Sequence, residues 1–284
     1  MNRREPMIAA MLRLCRLYYA IPMSLAYLLT VYYARGGEMA GQWAGALAST
    51  AALTLVIAGA YALNDVLDRA VDRINAPGRP VAAGRIAPGA AGALAAALTL
   101  AGLGLAGLCR PALLAGMAAV AGSLLIYNLL SKRLGLLKQV FCAALMTSIY
   151  PLAIAQAGGV AGPRAGSLAA FPVWLFLTAF GYELLKDIRD LGGDPPIAGR
   201  PTWVKRNPRL WRRIASAAIA GSSVILVVPA LLGCRWVYLA GAGAAMALAV
   251  ASALTPGVGR AIALVYAECF IVGLAAAADV MIFG

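Results

Sequence analysis

Apolar residues fall in nine long runs along the chain, at roughly 10–33, 43–65, 88–108, 112–131, 139–158, 168–186, 213–233, 236–255 and 261–283, separated by short polar segments. Crossing a bilayer core about 30 Å thick takes roughly 20 apolar residues per helix, so each run is of the right length. Ala and Gly dominate many of them, as in Gly92 to Gly107 and Gly241 to Ala251, and small side chains let helix backbones approach closely. The pattern predicts an all-α integral membrane protein: a nine-transmembrane-helix bundle around a central cavity, forming a single domain over residues 1–284.

Composition agrees. Of the 284 residues, 62% are hydrophobic and 12% charged, whereas soluble domains are about a quarter charged. The net charge of +13 raises the question of nucleic acid, but its distribution answers it. If the N-terminus is cytoplasmic, twenty Lys and Arg fall in segments on the inner side, and four, Arg35, Arg110, Arg164 and Arg235, on the outer side. That is a positive-inside bias, which makes the bilayer the partner and predicts a cytoplasmic N-terminus and an outer C-terminus. The first run passes 20 residues with Arg13 and Arg16 inside it, so it reads as the first membrane helix rather than a cleavable signal peptide. Five scattered cysteines show no metal-ligand spacing and read as packing residues. Histidine is absent, which removes the commonest general base and the Ser-His and Cys-His nucleophile systems.

The acids are concentrated. Six of eleven fall in two segments of one pattern, Asn64-Asp65-x-x-Asp68-x-x-x-Asp72 and Lys186-Asp187-x-x-Asp190-x-x-x-Asp194. On a helix these spacings share one face. Three like charges on one face repel, and a carboxylate in a membrane bundle needs a counter-charge. Oxygen donors without His or Cys suit a hard cation, and magnesium is typically held by one or two carboxylates plus substrate phosphates. The two triads therefore suggest a diphosphate bridged by magnesium (Mg2+), with Arg69, Arg73, Arg79, Arg85, Lys186 and Arg189 neutralising the remaining charge. The plainer reading is that such residues are solvated helix ends; duplication of the spacing on one predicted face of the membrane weighs against it. Neither triad has the alternating register of a calcium-binding loop.

Both triads lead into segments rich in Gly, Pro and Arg, at about 64–87 and 182–212, which read as loops covering a site. The basic run from Lys205 to Arg213 reads as a juxtamembrane belt facing anionic lipid. A third polar cluster contains Tyr127, Asn128, Ser131, Lys132, Arg133 and Lys138, whose cations either snorkel or contact diphosphate. Arg13 and Arg16 enter the first run from the inside, where snorkelling is the default, and Arg16 is also a substrate-binding candidate. Tyr182 lies one turn from Lys186, on the side towards which the second triad looks. Glu268 is an isolated acid within the last run. A divalent-cation transporter is the rival reading from another class, but it calls for acids near the midplane in interrupted helices; these triads sit at predicted helix ends.

The run Asn64-Asp-x-x-Asp-x-x-x-Asp72, then Arg79-Pro80-x-x-x-Gly84-Arg85-Ile86, then Tyr182-x-x-x-Lys186-Asp-x-x-Asp-x-x-Gly-Asp194 resembles the UbiA superfamily of intramembrane prenyltransferases over most of the chain, and is most like the digeranylgeranylglyceryl phosphate synthase subgroup. Val81-Ala82-Ala83 departs from the Pro and Ser often found there. The resemblance implies a nine-helix fold with Asn64, Asp65, Asp68, Asp72, Asp187, Asp190 and Asp194 as metal and diphosphate ligands. It implies Arg79, Tyr127, Lys132, Tyr182 and Lys186 as diphosphate or acceptor contacts; Arg16, Arg85 and Lys138 are further substrate-binding candidates, and Asp68, Asp190, Tyr182 and Lys186 are the candidate catalytic residues. The implied reaction is Mg-dependent transfer of a prenyl group from a prenyl diphosphate to a lipophilic acceptor, best matched by geranylgeranylglyceryl phosphate; an aromatic quinone precursor or homogentisate, or a chlorophyllide-type acceptor, are the alternatives.

Overall fold

The computed structural model describes residues 6–130, 134–160, 163–191 and 203–284, and among these the chain is helical without β-strands. In chain order the helices are α1 (Met7–Leu14), α2 (Leu17–Ala34), α3 (Trp43–Leu67), α4 (Arg69–Asn75), α5 (Pro88–Cys109), α6 (Pro111–Leu130), α7 (Leu137–Thr147), α8 (Ile149–Ala157), α9 (Ser167–Asp190), α10 (Trp203–Arg206), α11 (Pro208–Ser223), α12 (Val228–Leu231), α13 (Trp236–Leu254) and α14 (Val258–Phe283). Among the described residues nine spans are long and apolar enough to cross a membrane, with α7 and α8 together making one span and α11 to α12 another. This is an integral membrane protein.

Both jointed spans break where proline removes an amide. Pro151 has no N–H for the Thr147 carbonyl, and the chain steps at Ser148 between α7 and α8. Pro229 likewise leaves the Ile225 carbonyl without its helical donor, and Val224–Val227 winds as a 3-10 turn before α12.

The expected first span, 10–33, begins later and is not one helix. Helix α1 ends at Leu14, Arg16 takes a left-handed conformation (φ 45°, ψ 49°), and α2 starts at Leu17. Arg13 and Arg16 therefore do not snorkel from within a span: they stand at the joint. Leu14 and Ala10 of α1 pack with Val81 and Ile86 of the loop after α4 and with Ala62, Ala91 and Ala95, so α1 lies on that loop as part of one cap. The seventh span starts at Pro208, five residues earlier than expected, because Asn207 accepts the Leu210 amide as a helix cap and Pro208 follows at the first position.

The two ends of the bundle differ. At one end the start of α2 meets the end of α3 through Arg16 and Asp65, and the start of α7 meets the end of α9 through Lys138 and Asp187. At the other end Arg35 donates to the Glu38 and Ala157 carbonyls, and Asp279 accepts the amides of Arg235 and Tyr238, capping α13 from α14. That second end is filled by aromatic packing: Phe171 meets Tyr33 and Tyr238 edge-on and stacks with Tyr150. All five cysteines are free thiols, and Cys234 is occupied by a hydrogen bond with Tyr33.

Close approach of small residues fixes α3 against α5. A Cβ added at Gly102 would lie 2.8 Å from both the Ala52 carbonyl oxygen and Val56 Cγ2, whereas at Gly104 on the same helix nothing lies within 4 Å. Gly102→Val should therefore destabilise the protein by about 1–3 kcal/mol through overpacking, read as a lowered thermal midpoint in detergent. Gly104→Ala should leave the midpoint unchanged or slightly raised.

Candidate active site

The first triad is not a single helical face, because the helix breaks within it. Asn64 and Asp65 end α3, Asp68 is the joint, and Asp72 belongs to α4. Asp65 is 1% exposed and Asp72 5%. Arg16 donates to Asp65 Oδ1 at 2.5 Å and to Asn64 Oδ1 at 3.4 Å, and its guanidinium carbon lies 5.0 Å above the Tyr61 ring. Among the described residues Arg16 alone has a positive φ without being glycine; the left-handed conformation costs roughly 1–2 kcal/mol, and the ion pair holds it in place. Arg79, from the cap loop, donates to Asp72 Oδ2 at 2.5 Å and stands 3.8 Å from Asp65 Oδ1. Asn64 donates to Asp68 Oδ2 at 3.0 Å and to Asn128 Oδ1 at 3.4 Å. Burial pushes the Asp72 carboxyl up from the ordinary range; Asp68 and Asp65 add to the shift and Arg79 opposes it.

The second triad ends α9. Lys138 donates to Asp187 Oδ1 at 2.7 Å and Gln139 to Oδ2 at 2.5 Å, so Lys138 turns inward to a carboxylate rather than outward to headgroups. Lys186 donates to both oxygens of Glu183, at 2.8 and 3.0 Å, with its ammonium 5.2 Å from the Tyr182 ring centre. The Tyr182 and Tyr266 hydroxyls are 2.6 Å apart. Tyr127 stacks on Phe141 of α7. Tyr61, one turn before Asn64, lies under the Arg16 guanidinium, and its ring is 5.9 Å from that of Tyr19.

The expected residues are not equally buried. Asp190 is half exposed and pairs with its neighbour Arg189 at 2.8 Å. Arg85 stays exposed on the cap loop. Asp194 and Lys132 lie outside the described residues. Conversely, Gln139 on Asp187, Tyr61 under Arg16, Tyr19 against Tyr61 and Tyr266 on Tyr182 stand beside these residues but are absent from the sequence pattern. Tyr61 sits one turn before Asn64 and Gln139 beside Lys138, which are readable signals; Tyr266 comes from α14 and has none. Glu183 is 4% exposed and is the counter-charge of Lys186. Glu268 is buried in the interior, where it accepts from Trp174 Nε1 at 2.9 Å, away from both triads.

Magnesium fits the donor set in one mode. Among the described residues no three acidic, His or Cys side chains converge on a point, so these carboxylates do not make a cage. They offer hard oxygens singly or in pairs, the arrangement in which magnesium takes most of its remaining ligands from substrate phosphate and water. Asn64, Asp65 and Asp68 on one side, and Asp187 and Asp190 on the other, are the residues that could hold it.

The family model of the UbiA prenyltransferase family matches residues 19–275. The chain belongs to this family. The enzyme is thus a prenyltransferase, and its relatives fit that reading. The digeranylgeranylglyceryl phosphate synthase of Methanoculleus marisnigri is 32% identical over 236 residues, 82% of this chain and 81% of that one. A solved structure concerned with digeranylgeranylglyceryl phosphate synthase in membranes superposes with a TM-score of 0.78 at 20% identity, covering 98% of this chain and 99% of that one. A UbiA homologue from Archaeoglobus fulgidus bound to GPP and Mg2+ has a TM-score of 0.67 at 15% identity, covering 93% and 99%. Both share the prenyltransferase fold described above.

Burial separates the ion pairs of the prenyltransferase energetically. Arg16→Ala strands a buried carboxylate, a change that costs about 3–5 kcal/mol when a buried pair is broken, with Arg79 offsetting part of it. Arg189→Ala removes an exposed pair worth about 0–1 kcal/mol. Thermal unfolding of both variants in the same detergent should show a large drop for the first and almost none for the second.

Proposed function

We propose that this prenyltransferase transfers the prenyl group of a polyprenyl diphosphate to the hydroxyl of a glycerol-phosphate-type lipid, with magnesium as its cofactor and the site at the cytoplasmic face. The observation that carries the reading is that two carboxylate-bearing helix ends stand at one end of the bundle, each paired with cations, Arg16 and Arg79 at the first and Lys138 at the second, with Lys186 beside it. Such a location suits a polyanion that arrives with a divalent cation. The positive-inside bias supports a cytoplasmic position for this end, and relatives named digeranylgeranylglyceryl phosphate synthases, covering four fifths of the chain, favour the acceptor class.

The C1–O bond of the prenyl diphosphate breaks, and the electron pair leaves on the diphosphate. The acceptor hydroxyl oxygen bonds to C1, and its proton departs with the diphosphate. Bound magnesium supplies positive charge that stabilises the leaving group. Lys138 and Lys186 on the α9 side, and Arg79 on the cap, stabilise the same developing charge by moving from carboxylate to phosphate oxygens over a short distance. Asn64, Asp65 and Asp68 on one side, and Asp187 and Asp190 on the other, would hold the metal. The rings of Tyr61, under Arg16, and of Tyr182, beside Lys186 and Tyr266, offer faces that favour a cation next to them. The cap of α1 and the 76–87 loop covers the first triad and keeps out water that would quench the prenyl cation.

Turnover of radiolabelled geranylgeranyl diphosphate with geranylgeranylglyceryl phosphate tests this directly. It should require magnesium, and Asp68→Ala and Asp190→Ala should each lower it by at least about 100-fold, the scale of losing an electrostatic contact to the transition state. Near-normal rates in both variants, or turnover after chelation, would overturn the assignment.

A further inference from the structure

One cleft of about 200 Å³ opens beside the first triad, lined by Arg13, Arg16, Tyr18, Tyr19, Asp65 and Arg79. We propose that it binds the phosphate of the acceptor lipid, with Arg13 and Arg16 as the contacts that select it; this rests on the glycerol-phosphate reading above.

Three properties of the cleft point to that ligand. Its wall carries three guanidinium groups against one carboxylate, Asp65, and guanidinium forks match phosphate oxygens in pairs. Arg13 is anchored at the rim, where its Nη2 donates to the Gly78 carbonyl at 2.8 Å and ties α1 to the cap loop. The walls come from α1, the start of α2, the end of α3 and the cap loop, and no residue of α7 or α9 is among them. The cleft shares Asp65 and Arg79 with the diphosphate site, and its remaining polar wall, Arg13 and Arg16, comes from α1 and the start of α2, so a second anion can sit there beside the diphosphate.

The cleft also faces lipid. Tyr18, in its wall, is 65% exposed, and Ile21 and Leu25 continue the same outer face of α2 at 47% and 48%. Helix α1 exposes Met7, Ile8, Met11 and Leu12 beside it, an apolar surface continuous with the lipid-facing surface of α2, as expected of a helix lying in the interface. The volume is below the roughly 300–1,000 Å³ of pockets that enclose a drug-sized ligand. It accommodates a headgroup and leaves the alkyl chain in the bilayer. The acceptor thus enters sideways from the headgroup layer, and its phosphate is fixed while its hydroxyl reaches the donor carbon.

Equilibrium binding to the protein in nanodiscs tests the assignment with three probes: an alkylglycerol phosphate, the same alkylglycerol without phosphate, and geranylgeranyl diphosphate with magnesium. Arg13 is exposed, so Arg13→Gln should fold, and Arg13→Lys provides a second variant that keeps the charge. Arg13→Gln should weaken alkylglycerol phosphate at least about 10-fold, the scale of one charge-assisted contact to phosphate, with the other two probes unchanged and Arg13→Lys intermediate. Unchanged binding of the alkylglycerol phosphate, or an equal loss for geranylgeranyl diphosphate, overturns the cleft's assignment while leaving the acceptor reading in place. Failure of the unaltered protein to bind or turn over any glycerol phosphate lipid overturns both.

Discussion

Asp65 ends a membrane helix with 1% of its surface exposed, and an ionised carboxylate there is stable only beside positive charge. Much of the architecture at that end follows from the need. Arg16 meets it from the N-terminal side, and to do so the chain must turn through a conformation that non-glycine residues avoid. That turn separates α1 from α2 and lays α1 on the cap loop. The same loop returns Arg79 to Asp72 and to the edge of Asp65. A single buried charge thus fixes where the first helix begins, how the cap folds over the site, and which cations line it.

The second half repeats the solution with different parts. Lys138 and Gln139 at the start of α7 hold Asp187, and Glu183 holds Lys186 one turn before the triad's first acid. At the opposite end the buried acid Asp279 caps α13 through backbone amides, and aromatic rings of α2, α8, α9 and α13 pack the interior. An enzyme that generates a carbon cation inside a membrane gains from this division. The charged end receives polar substrates, while the aromatic end bars water from the far side.

Much of this is legible in the sequence. The nine spans, the two acid triads and their convergence at one end follow from apolar run length and charge alternation, both of which are local or periodic quantities. The misplaced start of the first span has a specific cause: apolar content cannot reveal a helix break imposed by an ion pair 49 residues away, between Arg16 and Asp65. The single-face picture of the first triad fails for a related reason, since the pattern of spacing persists through the joint at Asp68 although the helix does not. Tyr266 is beyond reach because nothing in α14 hints that its hydroxyl meets Tyr182 across 84 residues. Asp190 and Arg85 illustrate the converse: membership of a motif does not determine burial.

The glycine contacts between α3 and α5 bear on the depth of the chemistry. With Gly59 against Ala95 and Thr99, and Gly102 against Ala52 and Val56, α3 cannot slide along its neighbour without a clash. The carboxylates at its end are consequently fixed at one level relative to the protein. In a thicker or thinner bilayer the adjustment falls on the lipid or on tilt of the bundle as a unit, not on sliding of α3 along α5. The enzyme carries its own reference height, set by helix contacts inside the bundle.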